Sequence, residues 1–202
     1  MDTLSLGIIC SVDDLSLLAG KINKYIPLFD SVYITVDCDP SEPIRPFNWF
    51  RPFADCQLVK RALNSDFAAQ RNSIMARNEC DWVLFMDADE DLPTGLRKNL
   101  RKIVRIANEN QIDVVGFSRI NFFDNAFHEF YPDTQYRLVK HHILYTNNSP
   151  YRGASPGLHE TPQGASYLWF NNYNIVHIKT QKKQDDCVKQ WQKIRSLHIK
   201  NT

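Results

Sequence analysis

Two aspartates separated by one residue follow the most apolar segment of the chain. The run WVLFM at residues 82–86 has the length and composition of a buried β-strand, and Asp87, Ala88 and Asp89 come directly after it. Because alternate residues of an extended chain project to the same side, Asp87 and Asp89 can face one point. Two carboxylates can hold a divalent cation when water and substrate phosphates complete its shell. The spacing therefore points to a metal-bound diphosphate, and the alternative is an acidic turn that precedes a helix.

The segments on both sides of this pair alternate between strand-like and helix-like patterns. Apolar runs at residues 4–10, 31–37, 57–60, 82–86 and 114–120 alternate with helical patterns at 13–25, 66–79 and 94–108. This order predicts an α/β protein with a mostly parallel central sheet flanked by helices. Ligands of such sheets gather at the carboxyl ends of the strands, where Asp37 also lies.

The remainder of the chain has a different character. Residues 39–53 contain four prolines among aromatic side chains, which predicts a loop. Residues 121–173 are aromatic, asparagine-rich and interrupted by proline, which predicts loops and antiparallel ribbons, and IVHI at 175–178 is expected to be a last strand. The segment 179–202 is basic and carries an apolar stripe of Val188, Trp191, Ile194 and Leu197, which predicts a helix.

Composition limits the class of protein. The chain has 202 residues, 43% of them hydrophobic, which suits one globular domain spanning 1–202. A net charge of +1 argues against a protein that binds nucleic acid over its whole surface. Five cysteines without regular spacing favour free thiols in a reducing compartment, and no apolar stretch approaches the roughly 20 residues that cross a bilayer. We expect a cytoplasmic protein, at most peripheral to the inner face of a membrane.

Four segments together carry a resemblance to a known family. AAQRN at 68–72, WVLFMDADE at 82–90, PDTQYRLVK at 132–140 and GLHE at 157–160 resemble glycosyltransferase family 2. Within it, the sequence looks most like the short bacterial enzymes of the lipopolysaccharide-core β-glucosyltransferase type. The resemblance implies the GT-A fold, a nucleotide-sugar donor (expected to be a UDP-sugar) and a divalent metal. It also divides the chain into a nucleotide-sugar-binding half at 1–120, an acceptor-side half at 121–178 and a basic C-terminal helix at 179–202.

The resemblance assigns donor-binding roles to residues at strand ends. Asp37 matches the acid that contacts the nucleobase or ribose, and Arg71 matches the arginine that faces the donor diphosphate. Asp87 is expected to touch the ribose or the metal. Family members often carry an Asn-Glu pair after the first strand, whereas this chain has CSVDDL. Asp13 and Asp14 could replace that pair as helix-capping acids, and Ser11 is the candidate for the nucleotide contact.

The metal shell implied by the resemblance consists of Asp87, Asp89 and His177. A histidine within an apolar run is more often a hydrogen-bonded core residue, but a late histidine completes the shell in many GT-A enzymes. One imidazole, carboxylate oxygens and phosphates form a mixed shell that Mn²⁺ tolerates better than Mg²⁺. Glu90 is expected only to stabilise the start of the following helix.

Inverting sugar transfer needs a carboxylate that deprotonates the acceptor hydroxyl. Glu160 is the first candidate for this base and Asp133 the second, the alternative for Asp133 being a turn residue after Pro132. Arg137 and Arg152 could hold phosphate or an acidic acceptor, and His159 could orient Glu160.

The expected function is therefore metal-dependent, inverting transfer of a sugar to a glycan or lipid-linked acceptor. The basic tail allows contact with an anionic membrane or with nucleic acid, as in transferases that glycosylate modified bases of phage DNA, or simple packing on the domain. A catalytically inactive nucleotide-sugar-binding protein of the same fold is the other alternative. A nucleotidyltransferase would need a glycine-rich phosphate loop, and residues 7–20 contain only Gly7 and Gly20.

Overall fold

Strands and helices alternate through the first 120 residues, as the hydrophobic pattern predicts. The computed structural model describes residues 2–44, 56–124, 126–127, 133–147, 160–164 and 166–180, with positions 182–183, 185–186, 188–189 and 192. The helices in these ranges are α1 (Leu15–Ala19), α2 (Phe67–Met75) and α3 (Thr94–Glu109). The strands are β1 (Leu4–Ser11), β2 (Ser31–Asp37), β3 (Cys56–Lys60), β4 (Trp82–Asp87), β5 (Glu90–Asp91), β6 (Val114–Phe123), β7 (Ala126–Phe127), β8 (Asp133–Lys140), β9 (Tyr145–Thr146), β10 (Thr161–Pro162) and β11 (Tyr167–Lys179).

One mixed sheet forms the centre of the described structure. Its strand order is β3-β2-β1-β4-β8-β6-β11-β5, with β7 paired to β6, while β9 and β10 form a separate ribbon. The strands β3, β2, β1 and β4 are parallel neighbours, and β11 is parallel to β6. The α/β class predicted from the sequence is confirmed.

The position of β8 was not apparent from the sequence. It lies between β4 and β6 and runs antiparallel to both, so β4 and β6 point the same way without touching. The motif YRLV lies within residues 121–173, where loops and antiparallel ribbons were expected, yet Leu138 and Val139 are completely buried. Local periodicity predicts that a strand exists, but strand order depends on contacts between distant segments.

The two faces of the sheet bury separate apolar clusters. Leu84 and Met86 of β4 pack on the side of α1 and α3, whereas Val83 and Phe85 pack on the side of α2. A Cβ atom on Gly7 of β1 would lie 2.9 Å from two atoms of the Phe85 ring, so β1 and β4 require glycine there. By the same alternation Asp87 follows Val83 and Phe85 onto the α2 side, which decides its partners.

Several helices and strands begin or end at residues other than those predicted from the sequence. The helical pattern at 13–25 forms only the short α1, followed by 3₁₀ turns at Ile22–Lys24 and Ile26–Leu28. Helix α2 begins as predicted, with the Asp66 carboxylate accepting the Ala69 N–H, but it ends at Met75 and not at residue 79. The runs YLWF and IVHI belong to one strand, β11, with a shift of register between Phe170 and Asn174.

The basic tail is described only in part. Its described positions between 182 and 192 have helical backbone, and Val188 is 37% exposed, so packing of the apolar stripe on the domain is not seen at that residue. Trp191, Ile194 and Leu197 lie outside the described residues, as do residues 45–55 of the proline-rich loop. Cys10, Cys38, Cys56 and Cys80 are free thiols, and Cys187 is not among the described residues. No helix in the described ranges is long and apolar enough to span a bilayer.

Candidate functional site

Three of the predicted site residues end neighbouring parallel strands. Ser11 of β1 lies opposite Asp37 of β2 in the sheet register, and Ile9 of β1 lies opposite Asp87 of β4. The Asp37 Oδ1 accepts the backbone N–H of Leu63 at 2.8 Å. The hydroxyl of Ser11 donates to Asp14 Oδ2 at 2.8 Å. The parallel pairing therefore brings these side chains to one edge of the sheet.

Asp87 binds two arginines from different elements. Its Oδ2 lies 2.7 Å from Nη2 of Arg137 on β8, and its Oδ1 lies 3.3 Å from Nη2 of Arg71 on α2. Burial raises the pKa of the Asp87 carboxyl, but the charges of Arg137 and Arg71 outweigh it and hold this pKa well below its ordinary value. Asp87 is therefore ionised at neutral pH and orients both guanidinium groups.

Arg71 is fixed on every side by side chains. It is 3% exposed, and its Nε and Nη2 lie 2.7 and 2.6 Å from Glu160 Oε1. The guanidinium also stacks near the rings of Phe85 and Tyr145, at 5.1 and 5.5 Å from their centroids. Its Nη1 is buried and has no hydrogen-bond partner among the described residues. Since an unpaired buried donor costs about 1–3 kcal/mol, an acceptor oxygen at this nitrogen would be stabilising.

Glu90 is a buried partner of Arg137, one of the two arginines that bind Asp87, which corrects its expected role at a helix start. Its side chain is completely buried, with Oε1 at 2.6 Å from Arg137 Nη2 and 3.3 Å from Arg119 Nη1. Its Oε2 accepts the backbone N–H of Asp87 at 2.9 Å. Acidic residues are common after strands, so the sequence alone could not distinguish this buried glutamate from a solvated one.

Asp89 has a different set of partners, supplied by β11. Strand β5 pairs with β11 so that Glu90 lies opposite His177, and the Ile178 N–H donates to the Asp89 carbonyl at 3.1 Å. His177 Nε2 consequently lies 3.4 Å from Asp89 Oδ2. Burial raises the pKa of Asp89, but the hydrogen bond to His177 and the charges of His177, Lys179 and Lys183 outweigh it and hold the pKa well below its ordinary value.

A chain of hydrogen bonds assigns the proton on His177. Asn121 Nδ2 donates to Asp133 Oδ2 at 3.3 Å, because an Arg-paired carboxylate can only accept. Asn121 Oδ1 therefore faces His177 Nδ1, at 2.7 Å, and accepts its proton. With Nδ1 engaged in this way, Nε2 is the ring nitrogen that faces Asp89 and the one that could bind a metal. Histidines that bind metals are held through their other ring nitrogen in the same way.

The donor set fits a cation only in combination with a substrate. Among the described residues, no three His, Cys, Asp or Glu side chains cluster closely enough to hold a metal. Asp89 and His177 offer one carboxylate and one imidazole, while Asp87 is turned towards arginines. A metal bound by this pair would need phosphate oxygens and water to complete its shell, which is the usual arrangement for Mg²⁺ bound with a nucleotide.

The two candidate bases differ in how many of their carboxylate oxygens are already bound by described residues. Both oxygens of Asp133 are occupied, since Arg119 binds Oδ2 through Nε and Nη2 at 2.8 and 2.6 Å and Gln135 donates to Oδ1 at 2.8 Å. Glu160 uses Oε1 for Arg71, and no described residue donates to its Oε2. Glu160 is thus the better placed of the two to take a proton. Arg152 and His159 lie outside the described residues.

Two lysines next to the site were not predicted individually. Lys179 ends β11 with its Nζ 3.8 Å from Asp89 Oδ2, and Lys183 Nζ lies 3.4 Å from the same oxygen and 2.6 Å from Asp14 Oδ1. Burial lowers the pKa of Lys183, but Asp89 and Asp14 outweigh it and raise this pKa above its ordinary value. The available signal was their place at the start of the basic tail, within five residues of the strand motif VHI at 176–178.

Comparison with known proteins gives a family match and a set of similar folds. The sequence profile of the family described as glycosyl transferase family 2 matches residues 48–168, more than half of the chain. The fold is similar to S. aureus TarS 1-349 in complex with UDP-GlcNAc, with a TM-score of 0.58, 12% identity, and coverage of 88% of this chain and 58% of that one. The complex of S. aureus TarS 1-349 with UDP has a TM-score of 0.57 and 11% identity, and the match covers 87% of this chain and 60% of that one. S. aureus TarS itself has a TM-score of 0.53 and 14% identity, and the match covers 87% of this chain and 36% of that one. The chain thus spans between about a third and three fifths of the length of these structures, and at such identities the likeness shows the fold alone. No curated protein matches the sequence.

Proposed function

Since this chain belongs to glycosyl transferase family 2, we propose that it moves a sugar from a nucleotide sugar to a hydroxyl group of an acceptor. The observation that carries the proposal is Arg71, a buried arginine at the carboxyl edge of the sheet with one guanidinium nitrogen left without a described partner. A diphosphate oxygen is the natural acceptor for such a group. The TarS structures of the same fold contain UDP or UDP-GlcNAc, which supports a UDP-sugar as the donor.

The residues divide into donor and acceptor roles. Ser11 and Asp37 contact the nucleoside, Arg71 binds the diphosphate, and Asp87 keeps Arg71 in place. Asp89 and His177 bind a divalent cation, Mn²⁺ or Mg²⁺, which would stabilise negative charge on the departing diphosphate. In this assignment residues 1–120 form the donor half and 121–178 contribute the acceptor half, and the basic segment 179–202 begins with the last residue of β11.

Glu160 serves as the general base. Its Oε2 takes the proton of the acceptor hydroxyl as that oxygen attacks the anomeric carbon, the bond from that carbon to the diphosphate breaks, and UDP departs. Attack from the face opposite the diphosphate inverts the anomeric centre. Arg71 holds Glu160 by Oε1, which keeps the free oxygen in a defined direction.

The proposed acceptor is a glycan or lipid-linked sugar of the lipopolysaccharide type. The motif resemblance to core β-glucosyltransferases supports it, and the exposed lysines of the tail would favour the cytoplasmic face of an anionic membrane. A modified base of phage DNA is the alternative acceptor. Incubating the protein with radiolabelled UDP-sugar and each acceptor class separates these possibilities by the product that carries the label.

The donor proposal is tested by thermal stabilisation with a panel of nucleotide sugars, each with and without Mn²⁺. A bound ligand raises the melting temperature in proportion to the logarithm of its excess over Kd. We expect a UDP-sugar with Mn²⁺ to stabilise the wild type and to stabilise Asp89→Asn less. Asp91→Asn is the matched control, since Asp91 contacts Lys24 and Tyr25 away from the site. If no UDP-sugar raises the melting temperature of the wild type, the proposal is wrong. Release of UDP from a stabilising donor then separates an enzyme from an inactive binding protein.

A further inference from the structure

Lys183 reaches from the basic tail to the edge of the sheet where the donor is proposed to bind. We propose that Lys183 binds the diphosphate of the nucleotide sugar, exchanging its contact with Asp89 for a phosphate oxygen when the donor enters. This inference rests on the proposed function and adds a residue of the tail to the donor site. Neither the family motifs nor the sequence pattern assigned a role to this lysine.

The backbone fixes where Lys183 lies. The Ile178 N–H donates to the carbonyl of Asp89, which attaches the end of β11 to the acidic turn after β4. Immediately after β11 the hydroxyl of Thr180 accepts the Lys183 N–H at 3.1 Å, and the contacts of Lys183 with Asp14 and Asp89 place it at the same edge of the sheet. The first residues of the tail are therefore part of the site and do not project from it.

The side chain of Lys183 bridges the ends of two central strands. Its Nζ lies 2.6 Å from Asp14, which follows β1 and is held by Ser11, and 3.4 Å from Asp89, which follows β4. These are strands whose carboxyl ends frame the proposed nucleotide site. An ammonium at this point lies beside both the nucleoside contacts and the proposed metal ligands.

The charges around Asp89 favour an anion. Lys179, Lys183 and His177 all approach this one carboxylate oxygen, at 3.8, 3.4 and 3.4 Å. When a divalent cation binds Asp89, the lysines lose part of their counter-charge and are left next to a second cation. A diphosphate carries enough negative charge to bind both, and an ammonium on a flexible stem is a common phosphate ligand.

Exposure distinguishes Lys183 from the arginines of the site. The side chain of Lys183 is 34% exposed, whereas that of Arg71 is 4% exposed. Arg71 is therefore a fixed part of the site, while Lys183 can swing from a carboxylate to an incoming phosphate. A cation on the diphosphate also stabilises the charge that develops when UDP leaves, so Lys183 is expected to assist the chemical step as well as binding.

Calorimetric titration with UDP in the presence of Mn²⁺ tests the proposal, using Lys183→Ala and the neighbouring Lys182→Ala as the matched control. Lys182 is exposed and its loss removes the same charge from the same segment. We expect Lys183→Ala to weaken UDP binding about tenfold, the value of one charge-assisted hydrogen bond, and Lys182→Ala to leave it unchanged. Lys183→Arg should retain most of the affinity, which excludes misfolding as the cause.

A second titration separates an effect on phosphate from an effect on the metal. Mn²⁺ titrated in the presence of UDP at a concentration that saturates both proteins, and followed by electron paramagnetic resonance, should bind Lys183→Ala at least as tightly as the wild type, because a cation that competes for Asp89 has been removed. Equal weakening of Mn²⁺ binding, or equal UDP affinity of wild type and Lys183→Ala, overturns the inference. Failure of the wild type to bind UDP at all would instead overturn the proposed function, so the two failures are distinct.

Discussion

Arg71 and Arg137 meet the carboxylate of Asp87 from different elements, and Glu90 supplies the second negative charge. The four side chains form a largely buried network in which Arg137 contacts both acids at 2.7 and 2.6 Å. Networks of this kind add little net stability when complete, but losing one partner leaves a buried charge without compensation. Their value lies in fixing the direction of each guanidinium group.

At this scale we predict that Glu90→Gln is strongly destabilising. The change leaves Arg137 and Arg119 short of one counter-charge inside the protein, which should lower the free energy of unfolding by about 3 kcal/mol. Urea denaturation measures the effect. Glu109→Gln is the control, because its pair with Arg105 is exposed and should contribute less than about 1 kcal/mol. Equal destabilisation by the two changes would show that the buried network is not what stabilises the fold.

A second residue-scale prediction concerns Asn121. Asn121→Leu keeps the approximate volume but removes the acceptor that holds His177 Nδ1–H, so the imidazole is no longer fixed towards Asp89. Affinity for Mn²⁺ in the presence of UDP should fall about tenfold, the lower end of what outer-shell changes cause. Asn99→Leu on the exposed face of α3 is the control and should have no effect. Unchanged Mn²⁺ affinity in folded Asn121→Leu would argue that His177 does not bind the metal.

Close packing of β1 against β4, on the side covered by helix α2, positions the residues of the candidate site. Gly7 allows the ring of Phe85 to lie flat over β1, and Arg71 of α2 stacks 5.1 Å from that ring. The position of Arg71 therefore depends on a contact between two strands. Likewise, the antiparallel pairing of β5 with β11 is what brings His177 and Lys179 to Asp89.

At the scale of elements we predict that Gly7→Ala weakens both stability and donor binding. The added Cβ would meet the Phe85 ring at 2.9 Å and push it towards Arg71, at a cost of about 1–3 kcal/mol. Thermal unfolding and UDP titration measure the two effects. In Gly95→Ala, the control, the new methyl meets nothing within 4 Å near the start of α3, so the change should be neutral or slightly stabilising. If Gly7→Ala binds UDP like the wild type, the link from Phe85 to Arg71 is unimportant.

The molecule as a whole assembles its candidate site from segments far apart in sequence. Asp14, Arg71, Asp89, Glu160 and Lys183 span most of the chain. Their side chains form two clusters, Lys183 with Asp14 and Asp89 and Arg71 with Glu160 and Asp87, which meet where Asp87 and Asp89 lie close together in the chain. Because these contacts lie at the carboxyl ends of the strands, a ligand bound there should stabilise this end of the sheet. The amino ends of the strands should be unaffected.

Hydrogen exchange tests this expectation for the whole molecule. UDP with Mn²⁺ should slow exchange in peptides covering residues 11–15, 86–92 and 177–183, because they contain the proposed donor contacts. Peptides covering residues 28–32 and 78–82, near the amino ends of β2 and β4, serve as internal controls and should change little. Protection confined to one of the three site segments would contradict a shared donor site.

Local sequence alone predicted the strands β1 to β4 and β6 and indicated the end of the sheet where the candidate site lies. Strand β4 and helix α3 were predictable from apolar periodicity. The Asp66 cap, the strand-end positions of Asp37 and Asp87, and the place of Asp89 just after β4 followed from the same pattern. The motifs around Arg71 and Asp87 were also sufficient to indicate the family. These features depend on neighbours within a few residues, which a sequence displays directly.

Only the tertiary structure decided the partner of each charged group. Asp87 and Asp89 are two residues apart and look equivalent in sequence, yet Asp87 contacts arginines of α2 and β8 while Asp89 contacts His177 and the lysines after β11. The sequence likewise did not show that Glu90 is buried, that Asp133 is bound by Arg119, or that Lys183 contacts Asp89. The physical reason is that these pairs join residues of different strands and helices, many of them tens of residues apart. Which of them meet depends on strand order and register, and no local pattern records that order.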